Sequence, residues 1–277
     1  MSMGDQDTGK FRTNDKDQFY TNKEVAKSCV DFIITHMPNS SSYTWVEPSA
    51  GSGAFVDALD SHFTRIAMDI DPKSNTVKEM NFFEWDPTVS GDVIVFGNPP
   101  FGKQSSLAKA FIKKSCTFAN VIAFILPKSF TKPSMNNAFE EHFHLAHTRE
   151  IEKNAFEVNG SVYDVPCVFQ IWEKREHKRS VVEKVTPIGF SYVKPGDPYD
   201  LAFRRVGVYA GRCYLNEGRG FSAQSHHFLK IDTGGIETLR DKINAHTFPS
   251  NTVGPRSLTK SEINSVLNKM IKDLADT

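Results

Sequence analysis

Residues 23–36, KEVAKSCVDFIITH, place Val25, Cys29, Phe32 and Ile33 at a helical spacing that predicts an amphipathic helix. Pro38 and the run Asn39-Ser40-Ser41-Ser42 end it. From there short apolar runs alternate with helical ones. Thr44–Val46 predicts a strand, Ala54–Phe63 a helix, Arg65–Ile70 a second strand and Asp92–Phe96 a third or fourth. Ser105–Phe118, with Leu107, Phe111 and Cys116 near one face, predicts a helix, and Val121–Leu126 a buried strand ended by Pro127. This alternation predicts an α/β fold, a mostly parallel sheet with helices on both faces.

Further along, Glu150–Glu157 and Val165–Trp172 predict two closing strands joined by a turn over residues 158–161. The polar run 173–180 reads as an exposed boundary. Beyond it, 201–215 and 228–231 have strand character. A capping box at Thr259 and Glu262 opens a last helix, whose stripe of Ile263, Val266, Leu267, Met270, Ile271 and Leu274 is expected to pack on this chain. The expected organisation is a disordered tail over 1–17, a main domain over 18–176, and a small mixed α+β extension over 177–277.

The 277 residues are 39% hydrophobic and 24% charged, a composition of soluble globular proteins. No apolar run approaches the roughly 18 residues that span a bilayer, and the first residues lack a signal pattern, so the expected setting is intracellular, cytoplasmic or nuclear, with no membrane partner. Cys29, Cys116, Cys167 and Cys213 are scattered without a CxxC pair, which predicts buried thiols rather than disulfides or zinc. The formal net charge of zero is uneven. Residues 101–133 hold six lysines (103, 109, 113, 114, 128 and 132) and no acidic residue; 185–277 hold 12 Lys and Arg against 9 Asp and Glu. A basic region suits a solvated face or a phosphate backbone.

Three stretches carry chemistry. After the first predicted strand comes Glu47-Pro48-Ser49-Ala50-Gly51-Ser52-Gly53, a turn where glycines let backbone approach a ligand. Asp69, in Met68-Asp69-Ile70-Asp71-Pro72, ends the next strand, where a carboxylate can accept hydrogen bonds from ribose hydroxyls. The third glycine of the dinucleotide fingerprint is absent, Val56 standing in its place. Glu47 would repel a pyrophosphate and suits a cationic ligand. S-adenosylmethionine, a sulfonium without phosphate, fits better than NAD. The third stretch is Gly97-Asn98-Pro99-Pro100-Phe101-Gly102, a loop stiffened by two prolines without N–H groups.

In this order the three stretches resemble the class I S-adenosylmethionine-dependent methyltransferases, and more narrowly the amino-methyltransferases marked by (Asp/Asn/Ser)-Pro-Pro-(Tyr/Phe), above all the N6-adenine nucleic-acid enzymes of gamma-type motif order. The resemblance covers about residues 18–172 and implies a Rossmann-like, seven-stranded sheet with one antiparallel strand near the edge, the late strands 150–157 and 165–172 lying there. It makes 18–176 the catalytic domain. It implies cofactor contacts from Tyr20, Thr21, Glu47, Ser49, Gly51, Gly53, Phe55, Asp69, Ile70, Asn81, Phe82 and Asn98. Phe82 would pack on the cofactor's adenine, and Asn81 stands where the family has an acidic residue. Asn98, Pro99, Pro100 and Phe101 would be catalytic. Phe156 falls where such enzymes place an aromatic that stacks on a flipped base, with core filler the competing reading; Lys103 and Lys128 complete the expected substrate contacts.

An exocyclic amine on a base ring is a poor nucleophile, because its lone pair is delocalised. Asn98 cannot take a proton, but its oxygen can accept one N–H while the Pro99 carbonyl accepts the other, and both acceptors strengthen as positive charge develops on nitrogen. Phe101 offers a stacking face. No metal is implied; His226 and His227, adjacent in a strand, point to opposite faces. The expected substrate is adenine N6 in nucleic acid, with DNA slightly ahead of RNA. The alternatives are guanine N2 in RNA, protein glutamine, or a non-catalytic nucleic-acid-binding partner of the same fold. The basic residues Arg204, Arg205, Arg212 and Arg219, with the two histidines, lean toward nucleic acid. Oligomeric state, including a partner subunit, is left open.

Overall fold

The computed structural model describes residues 19–158, 160–218, 220–252 and 255–276. The expected tail over 1–17 and Arg219 lie outside the described residues. The chain divides into two compact units, 1–182 and 183–277.

The first unit runs β1 (Tyr20–Thr21), α1 (Lys23–His36), β2 (Thr44–Glu47), α2 (Ala54–Asp57), β3 (Arg65–Asp69), β4 (Lys78–Glu79), β5 (Val93–Gly97), α3 (Ser106–Cys116), β6 (Val121–Pro127), β7 (Phe143–Glu150), β8 (Phe156–Val158), β9 (Ser161–Tyr163) and β10 (Cys167–Lys174). Seven of these strands form one sheet in the order β4-β3-β2-β5-β6-β10-β7. Strands β2 to β6 run parallel, and β10 alone is antiparallel to both its neighbours. From β2 the chain winds outward through β3 and β4, then returns to β5 and winds the other way. The switch point, where α/β proteins bind ligands, therefore lies between the ends of β2 and β5.

Burial follows from this layering. Every residue of β5 and β6 is buried, as strands covered on both faces require. On one face Val46, Val95, Ile122 and Val168 pack with Ala108 and Ile112 of α3. Helix α1 buries Val25, Ala26, Cys29, Val30 and Ile33, and Trp45 packs edge-on against Phe63 and Phe96. All four cysteines are buried and unpaired.

Two expectations are corrected. The helix predicted over 54–63 is a single turn, Ala54–Asp57. Arg65 donates to the carbonyls of Val56 and Leu59, at 3.1 and 2.8 Å, and so satisfies the groups a longer helix would have bonded. The late strand predicted over 150–157 is β7, at Phe143–Glu150; polar residues populate this edge strand and hide its periodicity. Residue 156 instead belongs to a separate three-stranded sheet, β1-β8-β9. Part of the polar run 173–180 is tied down: the Arg179 guanidinium donates to the carbonyls of Asn136, Phe139 and Phe143.

The second unit holds β11 (Phe190–Val193), β12 (Leu201–Arg204), β13 (Cys213–Leu215), β14 (His226–Ile231), α4 (Ile236–Ala245) and α5 (Lys260–Ala275). The strands form an antiparallel sheet in the order β11-β14-β12-β13. Leu201, Phe203 and Leu229 pack with Leu239 of α4 and with Ile263, Leu267 and Ile271 of α5, so the apolar stripe of the last helix does pack on its own chain. The capping box at Thr259 and Glu262 is formed. Arg204, Arg205 and Arg212 each donate to a backbone carbonyl of this unit, of Val206, Gln224 and Asn244 respectively.

Burial lowers the His227 pKa to about 4, with Arg205 and Lys260 adding to the effect. The folded unit therefore binds fewer protons than the unfolded chain, and stability is lost as pH falls from about 6.5 toward 4. Wild type is expected to lose about 2–3 kcal/mol over that window relative to His227→Gln, read from denaturant midpoints at each pH.

Candidate active site

A cleft of about 520 Å3 opens at the switch point, over the ends of β2, β3 and β5. The glycine turn after β2 is built around positive φ. Gly51 has φ +49°, and a Cβ there would stand 3.1 Å from Tyr20 Cε1. Gly53, at φ +86°, caps α2 in the left-handed region and does not itself line the cleft. Asp69 holds this turn in place: one carboxylate oxygen accepts the Gly51 N–H and the other the Asp71 N–H, both at 2.8 Å. Each oxygen keeps a lone pair, so the carboxylate remains able to accept hydroxyl hydrogens.

Glu47, the last residue of β2, is buried, and its Oε2 has no hydrogen-bond partner. Burial pushes its carboxyl well above the usual carboxylate range, opposed by a hydrogen bond from the Val56 backbone and reinforced by Asp69 and Asp57. Its side chain lies on Gly97, where φ is +124° and an added Cβ would meet Glu47 Cγ at 3.2 Å. Gly97→Ala combines that contact with a backbone region closed to L-residues; a loss of about 2 kcal/mol, or roughly 4–8 °C in Tm, is expected by thermal unfolding.

Next to Gly97 stands Asn98. Its Nδ2 donates to the Phe19 carbonyl at 3.2 Å and to Thr21 Oγ1 at 3.1 Å, while Ser49 Oγ reaches its backbone carbonyl at 3.4 Å. The side-chain oxygen of Asn98 is buried and has no partner. Asn98 thus lines the cleft and carries a buried acceptor without a partner, and Pro99, Pro100 and Phe101 line the cleft with it. After Phe101 the chain turns sharply through Gly102, Gln104 and Ser105, all at positive φ, into α3.

Aromatic and aliphatic groups form the remaining walls. Phe19 stacks on Phe101, with ring centroids 6.3 Å apart and planes 25° from parallel. Ile70 is 70% exposed and Phe83 44% exposed, two large apolar side chains that also line the cleft. Phe82 lines the cleft from a buried position stacked on Phe111. Asn81 accepts the Phe83 N–H and donates to Glu84 Oε1.

The structure brings to the cleft the predicted residues Tyr20, Thr21, Glu47, Ser49, Gly51, Phe55, Asp69, Ile70, Asn81, Phe82 and Asn98 to Phe101. It does not bring Phe156, Lys103 or Lys128 there. Phe156 is 1% exposed and sits edge-on behind Phe19, at 6.5 Å. Lys128 is ion-paired with Glu150 at 2.7 Å. Lys103 is exposed on the turn after Phe101. Nine lining residues were not assigned from the sequence, among them Phe19, Asp71, Phe83 and Leu107. Asp71 lay inside the stretch 68–72, and Phe19 and Phe83 adjoin the assigned Tyr20 and Phe82; Leu107 carried no signal, because its place depends on the turn at 102–105. Among the described residues, no three or more His, Cys, Asp or Glu gather as a metal site, and no helix is long and apolar enough to cross a membrane.

No family model matches the sequence, and no curated protein matches it. Among solved structures, a candidate RNA methyltransferase of Pyrococcus horikoshii is similar over 57% of this chain and 87% of its own, at 17% identity and a TM-score of 0.45. A candidate class I S-adenosylmethionine-dependent methyltransferase of Listeria monocytogenes is similar over 63% and 66%, at 11% identity and 0.42. The type I restriction-modification methyltransferase subunit of Streptococcus thermophilus is similar over 96% and 59%, at 13% identity and 0.40. At these scores the strand order itself carries the argument: seven strands, the switch point beside the first, and one antiparallel strand next to the edge. The fold is the Rossmann-like class I methyltransferase fold. In this methyltransferase fold the glycine turn, Asp69 and the Asn-Pro-Pro-Phe loop stand at the ends of β2, β3 and β5, three neighbouring strands of one sheet.

Proposed function

We propose that this chain transfers a methyl group from S-adenosylmethionine to the exocyclic N6 of adenine in nucleic acid, with DNA slightly favoured over RNA. The observation that carries the reading is the Asn98 side-chain oxygen, a buried acceptor without a partner on a residue that lines the cleft together with Phe101. A buried acceptor left open costs free energy, and a planar amine supplies the missing N–H while its ring lies against Phe101.

The cleft suits the cofactor on this chain's own features. Glu47 places an unpaired, buried carboxyl oxygen where a cation would stabilise its ionised form. Gly51 keeps the turn open against Tyr20, Asp69 offers lone pairs for ribose hydroxyls, and Ile70 with Phe83, in place of the expected Phe82, which is buried, gives an apolar slot for an adenine ring. When bound, S-adenosylmethionine supplies an electrophilic methyl group. Asn98 Oδ1 accepts one N–H of the target amine and the Pro99 carbonyl the other, and both hold more strongly as the nitrogen gains positive charge. The prolines fix these acceptors before substrate arrives, so little order is lost at reaction. Phe101 holds the ring in line. Three of the six lysines that follow, Lys103, Lys109 and Lys113, are exposed and suit a phosphate backbone, whereas Lys114 donates to the Trp85 carbonyl and Lys132 is buried.

The test is incubation with methyl-labelled S-adenosylmethionine and separate pools of DNA, RNA and protein, each digested and the labelled product identified by mass. N6-methyladenine in the DNA pool is the expected product. Label on guanine N2 or on glutamine overturns the adenine assignment, and absence of label in every pool overturns the enzyme reading.

A further inference from the structure

Asn98 carries both a donor and an acceptor on its side-chain amide, and only one of them helps an incoming amine. An Asn whose nitrogen faced the cleft would set N–H against N–H and repel the substrate. What decides the orientation lies in β1 and the residue before it.

The Asn98 Nδ2 has two acceptors, the Phe19 carbonyl at 3.2 Å and Thr21 Oγ1 at 3.1 Å. Turning the amide over would press its oxygen against the Phe19 carbonyl oxygen, an acceptor that has no hydrogen to give. The orientation therefore follows from the network rather than from the shape of the side chain. Both acceptors are anchored from outside the loop. Thr21 is buried and pairs with Phe156 of β8, Tyr20 pairs with Glu157, and the Asn22 N–H donates to the Ala155 carbonyl at 2.9 Å. On the other side, the Asn22 side chain caps α1. Phe19 packs against the rings of Phe101, Phe156 and Tyr163. The small sheet β1-β8-β9 thus has an identifiable task, and Phe156 a place in it as the support behind Phe19.

We infer that β1 and the residue before it form a positioning clamp for the acceptor amide: Thr21 Oγ1 and the Phe19 carbonyl hold the Asn98 nitrogen and leave its oxygen as the side chain's one unengaged polar atom. The inference rests on the amine-methyltransferase reading and adds the reason for its substrate class. A site that offers only acceptors at this point selects a nitrogen bearing hydrogens. It disfavours the ring nitrogens and carbonyl oxygens of the same base, which present lone pairs to a lone pair. Thr21 and Phe19 act through Asn98 and are positioning residues.

The experiment compares wild type, Thr21→Val and Thr21→Ser. Valine keeps the shape and removes the acceptor; serine keeps it. With an adenine-bearing oligonucleotide at saturating cofactor, Thr21→Val is expected to lower kcat about tenfold, with the oligonucleotide KM changing less than about threefold, and Thr21→Ser to keep most of the wild-type kcat. A second readout needs neither cofactor nor substrate. In 15N-labelled protein, with Asn98→Ala assigning the signal, exchange of the Asn98 amide protons is expected to be about tenfold faster in Thr21→Val and unchanged in Thr21→Ser. Unchanged exchange, or a Thr21→Val kcat within twofold of an active wild type, overturns the clamp. Wild type inactive on every amine overturns the functional reading instead, while the exchange measurement still decides the clamp.

Discussion

Asn98→Ala is expected to lower methyl transfer by a factor of about 100 to 1000, the loss seen when one preorganised partner of a developing charge is removed. The cost to folding should be small, because two effects oppose each other. Alanine leaves the Phe19 carbonyl and Thr21 Oγ1 without the amide that donates to them, but it also removes a buried oxygen that had no partner. Each is on the order of 1–3 kcal/mol, so the net change in stability should stay under about 2 kcal/mol. Cofactor affinity should change less than about fivefold, since glycine turn, Asp69 and Glu47 are untouched. Initial rates with labelled cofactor, read beside thermal unfolding and calorimetric binding, check all three. A variant that transfers at wild-type rate removes Asn98 from the chemistry.

Glu47→Gln should have the second large effect, with opposite signs in the free and the bound protein. In the free protein a carboxyl held well above its ordinary pKa binds its proton more tightly folded than unfolded. The folded state gains from it below the unfolded pKa of about 4.3, and this gain is lost as pH rises toward the folded value. Glutamine keeps an acceptor for the Val56 N–H and has no proton to lose. At pH 7–8 the variant should therefore be more stable than wild type by roughly 1–3 kcal/mol, the difference shrinking as pH falls toward about 4.5. Its affinity for S-adenosylmethionine should fall about 10- to 100-fold, because the buried negative charge that favours a cation is gone. Denaturant midpoints across pH and calorimetric titration at one pH test the two halves separately. A variant less stable than wild type at neutral pH contradicts the assignment of Glu47 as an unpaired buried acid.

The parts of the molecule legible in the sequence were those marked by residues with few conformational options. Gly51, Gly53 and Gly97 take positive φ, and Pro99 and Pro100 stiffen the loop beside Asn98, so these positions stand out whatever surrounds them. Apolar runs such as 93–97 and 121–127 reveal themselves because central strands are buried on both faces. The edge strand 143–150 did not, since His144, His147, Thr148 and Arg149 interrupt its periodicity. Nor did the short α2, whose end is set by Arg65, which takes the carbonyls of Val56 and Leu59. Phe156 and Lys128 were assigned by chain position, but their surroundings depend on Phe19 and Glu150, distant residues that no local pattern announces. The unpaired oxygens of Glu47 and Asn98, on which the proposed chemistry turns, are visible only once the chain is folded.

The most direct measurement is a crystal structure of the chain with S-adenosylhomocysteine and a short adenine-bearing oligonucleotide. The expected result is the cofactor's adenine against Ile70 and Phe83, its ribose on Asp69, and the target amine within hydrogen-bonding reach of Asn98 Oδ1 with its ring facing Phe101. A cofactor bound outside this cleft, or a target base whose amine points away from Asn98, would contradict it.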